Sequence, residues 1–167
     1  MLINRRGARL RSDLRSAMFT VTVNTEIDVP AAEVYAFVAD LSNNASWQFG
    51  IESTEWTSEP PVRVGSTYDQ TTEYKGIVTG YEVTAIEPGR SITVETRRGA
   101  TIPTTVTRTV QVLNESRCRL RVDLVGQLRS WRLLTKPLVM RMIRRSVESD
   151  YRRLKRQLEE SAGPDPV

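Results

Sequence analysis

Chemistry at neutral pH has few side chains to draw on in this chain. It contains no histidine and one cysteine, Cys118. That removes histidine-based triads, histidine-ligated metals and the usual acid–base residue together. What remains is a pair of tyrosines, Tyr68 and Tyr81, and a carboxylate, Glu55, in phase with Ile51 and Ser53. Enolate stabilisation by a tyrosine and proton abstraction by a buried glutamate would suit an aldol-type cyclisation or a dehydration. A core tyrosine and a surface glutamate explain the same residues, and nothing in the spacing demands more. Metal, phosphate-loop and dinucleotide motifs are absent, so no cofactor is expected.

The elements that would position these residues are legible from periodicity. Phe19, Val21, Val23 and Ile27 alternate with Thr20, Thr22, Asn24 and Glu26, which predicts a half-buried strand. Asp28 and Pro30 then suit the start of a helix over Ala31–Leu41, with Asp28 as its cap. Ser42–Trp47 is read as a loop or one further helical turn. Strands are predicted over Ile51–Ser58, Thr67–Tyr74, Ile77–Glu87, Ser91–Arg97, Ile102–Leu113 and Arg117–Leu128, separated by turn residues such as Lys75-Gly76. Short turns make consecutive strands antiparallel neighbours.

Alternation then assigns faces. Tyr68, Gln70, Thr72 and Tyr74 share one, as do Thr79, Tyr81 and Val83, Ile92 and Val94, and Val106, Val110 and Val112. Cys118 is in phase with Leu120, Val122 and Leu124 and reads as a buried thiol. Arg108 is in phase with its valines, and a buried guanidinium needs a protein carboxylate or an acidic ligand group. A β-bulge that turns Arg108 to solvent is the preferred alternative.

From about Thr135 to Glu160, Val139, Ile143, Val147, Tyr151, Leu154 and Leu158 form one apolar stripe of a long helix. Such a helix needs a large surface, and the concave side of the sheet is the candidate. Charge is unevenly spread. Residues 1–17 hold five arginines and one acid, residues 18–128 hold 9 basic and 14 acidic side chains, and residues 129–167 hold 10 and 5. The domain is therefore expected to run from 18 to 160. A basic leader over 1–17 and a tail over 161–167 are expected to be disordered, with Met18 a candidate initiator.

The order of elements, with Ile27-x-Val29-Pro30-Ala31-x-x-Val34-Tyr35-x-Phe37-Val38-x-Asp40, Trp47, Val64-Gly65-Ser66 and Tyr81-Glu82-Val83-Thr84-x-x-Glu87-Pro88, resembles the START-like (SRPBCC) superfamily and its polyketide cyclase/dehydrase-type members. The resemblance implies an α+β helix-grip fold, a curved antiparallel sheet wrapped around a long C-terminal helix, with two short helices after the first strand. It implies a cavity for a small hydrophobic ligand such as a lipid, quinone or polyketide, with Trp47 near its mouth. Inward Tyr68, Gln70, Tyr81, Val94 and Arg108, with Val139 and Met142 on the helix, are the expected ligand contacts. Carriage of such a ligand is the first expectation, and a cyclase or dehydratase using the same cavity is the alternative.

The basic helix offers a third expectation, a module that docks on an anionic membrane or on a partner, although a solvated face balanced by the acidic sheet is preferred. Nucleic-acid binding is not expected, because aromatic residues are not interleaved with the charge. A single cysteine and the absence of an apolar run of membrane-spanning length suit a cytoplasmic protein.

Overall fold

The alternation from Phe19 to Ile27 is realised in β1 (Ser16–Ile27), where Phe19, Val21, Val23 and Ile27 are buried. The computed structural model describes residues 16–100, 102–129 and 136–163. After β1 come α1 (Ala31–Ala39), a 3-10 turn at Leu41–Asn43 and the single turn α2 (Asn44–Trp47). Six strands follow: β2 (Ile51–Trp56), β3 (Thr67–Thr72), β4 (Val78–Glu87), β5 (Ser91–Thr96), β6 (Thr104–Asn114) and β7 (Arg117–Arg129). The last element is α3 (Lys136–Ala162), 27 residues and about 40 Å long.

The boundaries differ from expectation at both ends. β1 begins at Ser16 and pairs Ser16 and Ala17 with Arg129 and Leu128, inside the segment expected to be disordered. α3 continues two residues past Glu160. The rest of the expected leader and tail, residues 1–15 and 164–167, lies outside the described residues. Asp28 does not cap α1. Pro30 takes the cap position, while Asp28 pairs with Arg117 and its N–H donates to Glu159 Oε1 at 2.8 Å.

All seven strands form one antiparallel sheet in the order β1-β7-β6-β5-β4-β3-β2. β2 to β7 are the expected meander, and β1 pairs with β7 at the far end. Lys75 and Gly76, with φ of 61° and 57°, turn the chain between β3 and β4 through the left-handed region. Register shifts between Ile51 and Ser53, Val83 and Ala85, and Val112 and Asn114 bend the sheet. Val112, expected inward, is exposed, because β6 here runs out toward its turn with β7.

The two halves of α3 behave differently. Tyr151, Leu154 and Leu158 are buried against Ile27, Val29 and Val34, each such side chain contributing ~1.5–3 kcal/mol. Lys155 Nζ fixes this half by donating to Glu26 O and to Glu159, both at 2.7 Å. Toward the N-terminus Val139, Ile143 and Val147 are only half-buried, and Leu138 and Met142 are 62% and 63% exposed.

One glycine is required by packing. A Cβ on Gly126 would stand 2.5 Å from Phe19 Cζ and 3.2 Å from Thr104 Cγ2. The Phe19 ring lies across the glycine opposite it in β7. Gly126→Ala is expected to displace that ring and to lower stability by about 1–3 kcal/mol, read as a lower urea midpoint at unchanged m-value.

Candidate functional site

A cavity of about 220 Å³ opens between the sheet and the middle of α3. Val94, Val106, Val122 and Leu124 form its sheet wall, with Tyr68 and Tyr81 at one side. Trp47 and Asn44 of α2 and Val147, Asp150 and Tyr151 of α3 form the opposite wall. A second space of about 360 Å³ shares Tyr81, Thr104 and Leu124 with the first and extends to Ile77, Ile102 and Ile143. The two spaces are neighbours, both largely apolar, and the first has a polar end.

That polar end is Arg108. It is not turned outward by a bulge: pairing through β5–β6 and β6–β7 is regular around it, and the side chain is 4% exposed. Its Nε donates to Tyr151 Oη at 3.1 Å and its Nη1 to Val38 O at 3.0 Å. Val38 lies in the last turn of α1, whose carbonyls have no helical partner and form the negative end of the helix dipole. The guanidinium also lies 5.1 Å from the centre of the Trp47 ring, a cation–π contact. Trp47 is itself 5.0 Å from the Tyr151 ring. Of the two partners the sequence allows, a protein carboxylate or an acidic ligand group, the first is missing. Among the described residues no carboxylate oxygen lies within 4.0 Å of this guanidinium.

The tyrosines stand together in the cavity wall. Tyr68 is buried, stacks on Tyr81 at 5.0 Å and 7°, and meets Trp56 edge-on at 5.6 Å. Burial pushes both phenols above the ordinary tyrosine range, with nearby Arg108 opposing the rise in each. Gln70 donates to Gln48 Oε1 at 3.3 Å, and both amides line the cavity beside Val94.

Glu55 is a correction. The register shift between Ile51 and Ser53 reverses the phase of β2, so Thr54 is buried and Glu55 faces solvent opposite Asp69. It cannot act inside the cavity. Val139 packs against the main core and Met142 is exposed, so neither lines the cavity. The helix presents Val147, Asp150 and Tyr151 there instead, one to two turns further along. Tyr74, expected on the concave face, is exposed at the β3–β4 turn.

Asn44 and Asp150 were not anticipated. Asn44 lies one turn before Trp47, and Asp150 three residues after Val147 and four before Leu154, within the apolar stripe of α3. That placement of a carboxylate was the available signal. Asp150 Oδ1 accepts the Phe49 N–H at 3.0 Å, and burial raises its carboxyl pKa, with the Phe49 bond and Arg153 opposing. Asn44 Oδ1 and Trp47 Nε1 are buried without a hydrogen-bond partner among the described residues. No group of three or more His, Cys, Asp or Glu among the described residues is placed to hold a metal. No described helix is long and apolar enough to cross a membrane.

A bent seven-stranded antiparallel sheet, two short helices after its first strand and a long terminal helix over an apolar cavity define a helix-grip domain of the START-like superfamily. Residues 18–161 match the family model "Polyketide cyclase / dehydrase and lipid transport", and the chain belongs to that family. The same fold is seen in the Zhui aromatase/cyclase from Streptomyces sp. R1128, with TM-score 0.69 and 15% identity over 88% of this chain and 97% of that one. A START superfamily protein from Mycobacterium smegmatis aligns with TM-score 0.68 and 15% identity over 84% and 97%. Norcoclaurine synthase from Thalictrum flavum aligns with TM-score 0.66 and 12% identity over 89% and 98%. No curated protein matches the sequence.

The position of Asp150 has a consequence for pH. Its folded-state pKa is raised above the ordinary carboxyl value of 3.8, so the native state binds the proton more tightly than the unfolded chain. Its contribution to stability therefore falls as pH rises through the acidic window above 3.8. Asp150→Asn keeps an acceptor for Phe49 N–H and has no proton to lose. The variant should gain stability relative to the native chain as pH goes from 3.5 to 7, measured by urea unfolding at each pH. A difference independent of pH would contradict the burial of this carboxylate.

Proposed function

We propose that the protein is a cytoplasmic binder or carrier of a small hydrophobic molecule, held in the cavity between sheet and α3. The observation that carries this reading is the pair of neighbouring, largely apolar spaces of about 220 and 360 Å³, the first walled by Val94, Val106, Val122 and Leu124, left unfilled by the core. Cyclase chemistry is the weaker reading. Glu55 is outside, Tyr68 and Tyr81 are stacked on each other, and Asp150 Oδ1 is engaged by the Phe49 N–H, which leaves no base beside a tyrosine donor. An acid–base pair converging on one point of the cavity is therefore lacking among the described residues.

The direct test uses an uncharged fluorescent probe, N-phenyl-1-naphthylamine, on the full chain, with native mass spectrometry of the protein as purified from cells. Micromolar binding with enhanced emission is expected, and Val106→Trp, which fills the cavity, should weaken it at least tenfold. Absence of probe binding together with a clean apo mass would defeat the carrier reading.

A carrier of apolar cargo must meet a source of it, and α3 offers a surface for that. Leu138 and Met142 are exposed one turn apart, flanked by Arg141, Arg144 and Arg145, which make no ion pair among the described residues. Ile143, beside them, lines the larger space, so this edge borders the cavity. Exposed apolar side chains bordered by arginine fit an anionic lipid surface. The protein should pellet with vesicles containing 30% phosphatidylserine at low salt and be released at 0.5 M salt. Failure to pellet at any salt concentration would remove the membrane contact and leave the cavity reading standing.

A further inference from the structure

Arg108 is a charge the fold buries without neutralising. Of its five N–H donors, one at Nε and one at Nη1 are used, and Nη2 has no partner among the described residues. A phenol, a backbone carbonyl and an indole face are the groups that meet it, and none carries a full negative charge. Trp47, 1% exposed, adds an unpartnered buried donor at Nε1 in the side chain that stacks on this guanidinium. Breaking or omitting the partner of a buried charge is costly, so the site is built for a group that arrives with the ligand.

The charge balance narrows what that group is. Asp150 lines the same cavity, but its Oδ1 accepts the Phe49 N–H and neither of its carboxylate oxygens comes within 4.0 Å of Arg108. Arg108 is the cation lining this cavity, and its surroundings beyond the polar end are Val94, Val106, Val122 and Leu124. One guanidinium matches one monoanion. A phosphate dianion would retain uncompensated charge in an apolar room, and an alcohol or ketone would leave the guanidinium without a counter-ion.

Resting on the carrier reading above, we propose that the ligand is a hydrophobic molecule bearing a single carboxylate. The carboxylate seats on Arg108 Nη2 with the Trp47 indole N–H as a second donor, and the apolar body extends past Tyr81 and Leu124 toward Ile143.

Matched ligands test this by displacement of N-phenyl-1-naphthylamine at pH 7.5, where carboxylates are ionised. The pairs are decanoate against decan-1-ol and 2-naphthoate against 2-naphthylmethanol, with decylamine as the cationic control. In the native chain each acid should bind at least tenfold more tightly than its alcohol, and the amine most weakly. Arg108→Gln should reduce the acid's advantage over its matched alcohol to threefold or less, read as the ratio within the variant so that any general change in the cavity cancels. Trp47→Phe, which keeps a ring over the guanidinium and removes the N–H, should lower the acid-to-alcohol affinity ratio two- to tenfold. If Arg108→Gln does not fold, the native-chain pairs and Trp47→Phe decide the matter. Acids and alcohols that bind equally, or an amine that binds best, would overturn the carboxylate assignment while the carrier reading survives. If the naphthylamine and every member of the panel fail to bind, both fall together.

Discussion

One buried cation ties the two layers of this protein together. Arg108 rises from the middle of β6 and touches α1 through Val38 O, α2 through the Trp47 ring and α3 through Tyr151 Oη. The two neighbouring helices α1 and α2 and the distant α3 are therefore indexed to one point of the sheet. The contacts are charge–dipole, charge–quadrupole and a hydrogen bond to a neutral hydroxyl, each weaker than an ion pair but all directional. Directional contacts fix relative position better than apolar packing, and the cavity lies immediately around them. The geometry of the site is thus set by the same side chain that gives it its polar end.

Around that point the domain divides its tasks between the halves of α3. The C-terminal half is held by buried Tyr151, Leu154 and Leu158 and by the Lys155–Glu159 pair that reaches the ends of β1 and of the loop after it. The N-terminal half has half-buried Val139, Ile143 and Val147 and exposed Leu138 and Met142. Few buried contacts mean a low free energy of local opening. Entry to the cavity past Ile143 can therefore be local, without loosening the core that holds the fold.

The architecture was readable from sequence because period-2 alternation and one long helical stripe are strong signals. The site was less so, for identifiable reasons. Glu55 is a case of phase: one register shift after Ile51 moves every later side chain of β2 to the other face, and nothing in Ile51–Trp56 marks it. Arg108 is the reverse case. Its phase among Val106 and Val110 was a true signal, and the general rule against buried charge argued wrongly for a bulge. Met142 and Val139 were placed by helical spacing, but spacing cannot tell which turn of a 40 Å helix stands over the bend of the sheet. Asp150 was legible as a carboxylate inside an apolar stripe and was passed over because the stripe was read for its apolar members.

What the fold leaves undone is as informative as what it completes. Replacing a buried charge with an apolar side chain of similar volume is often neutral or stabilising. A methionine at position 108 would fill the space over Trp47 without a desolvation cost, and the surrounding Val94, Val106 and Val122 would accept it. A chain shaped for stability alone would also close the space beneath Val147, since unfilled apolar volume weakens a core. This protein keeps both the cation and the space, adjacent to each other and bordering the half of α3 that is least tightly held. Those three features are individually unfavourable for folding, and a ligand with an apolar body and one anionic end would offset the first two by entering through the third.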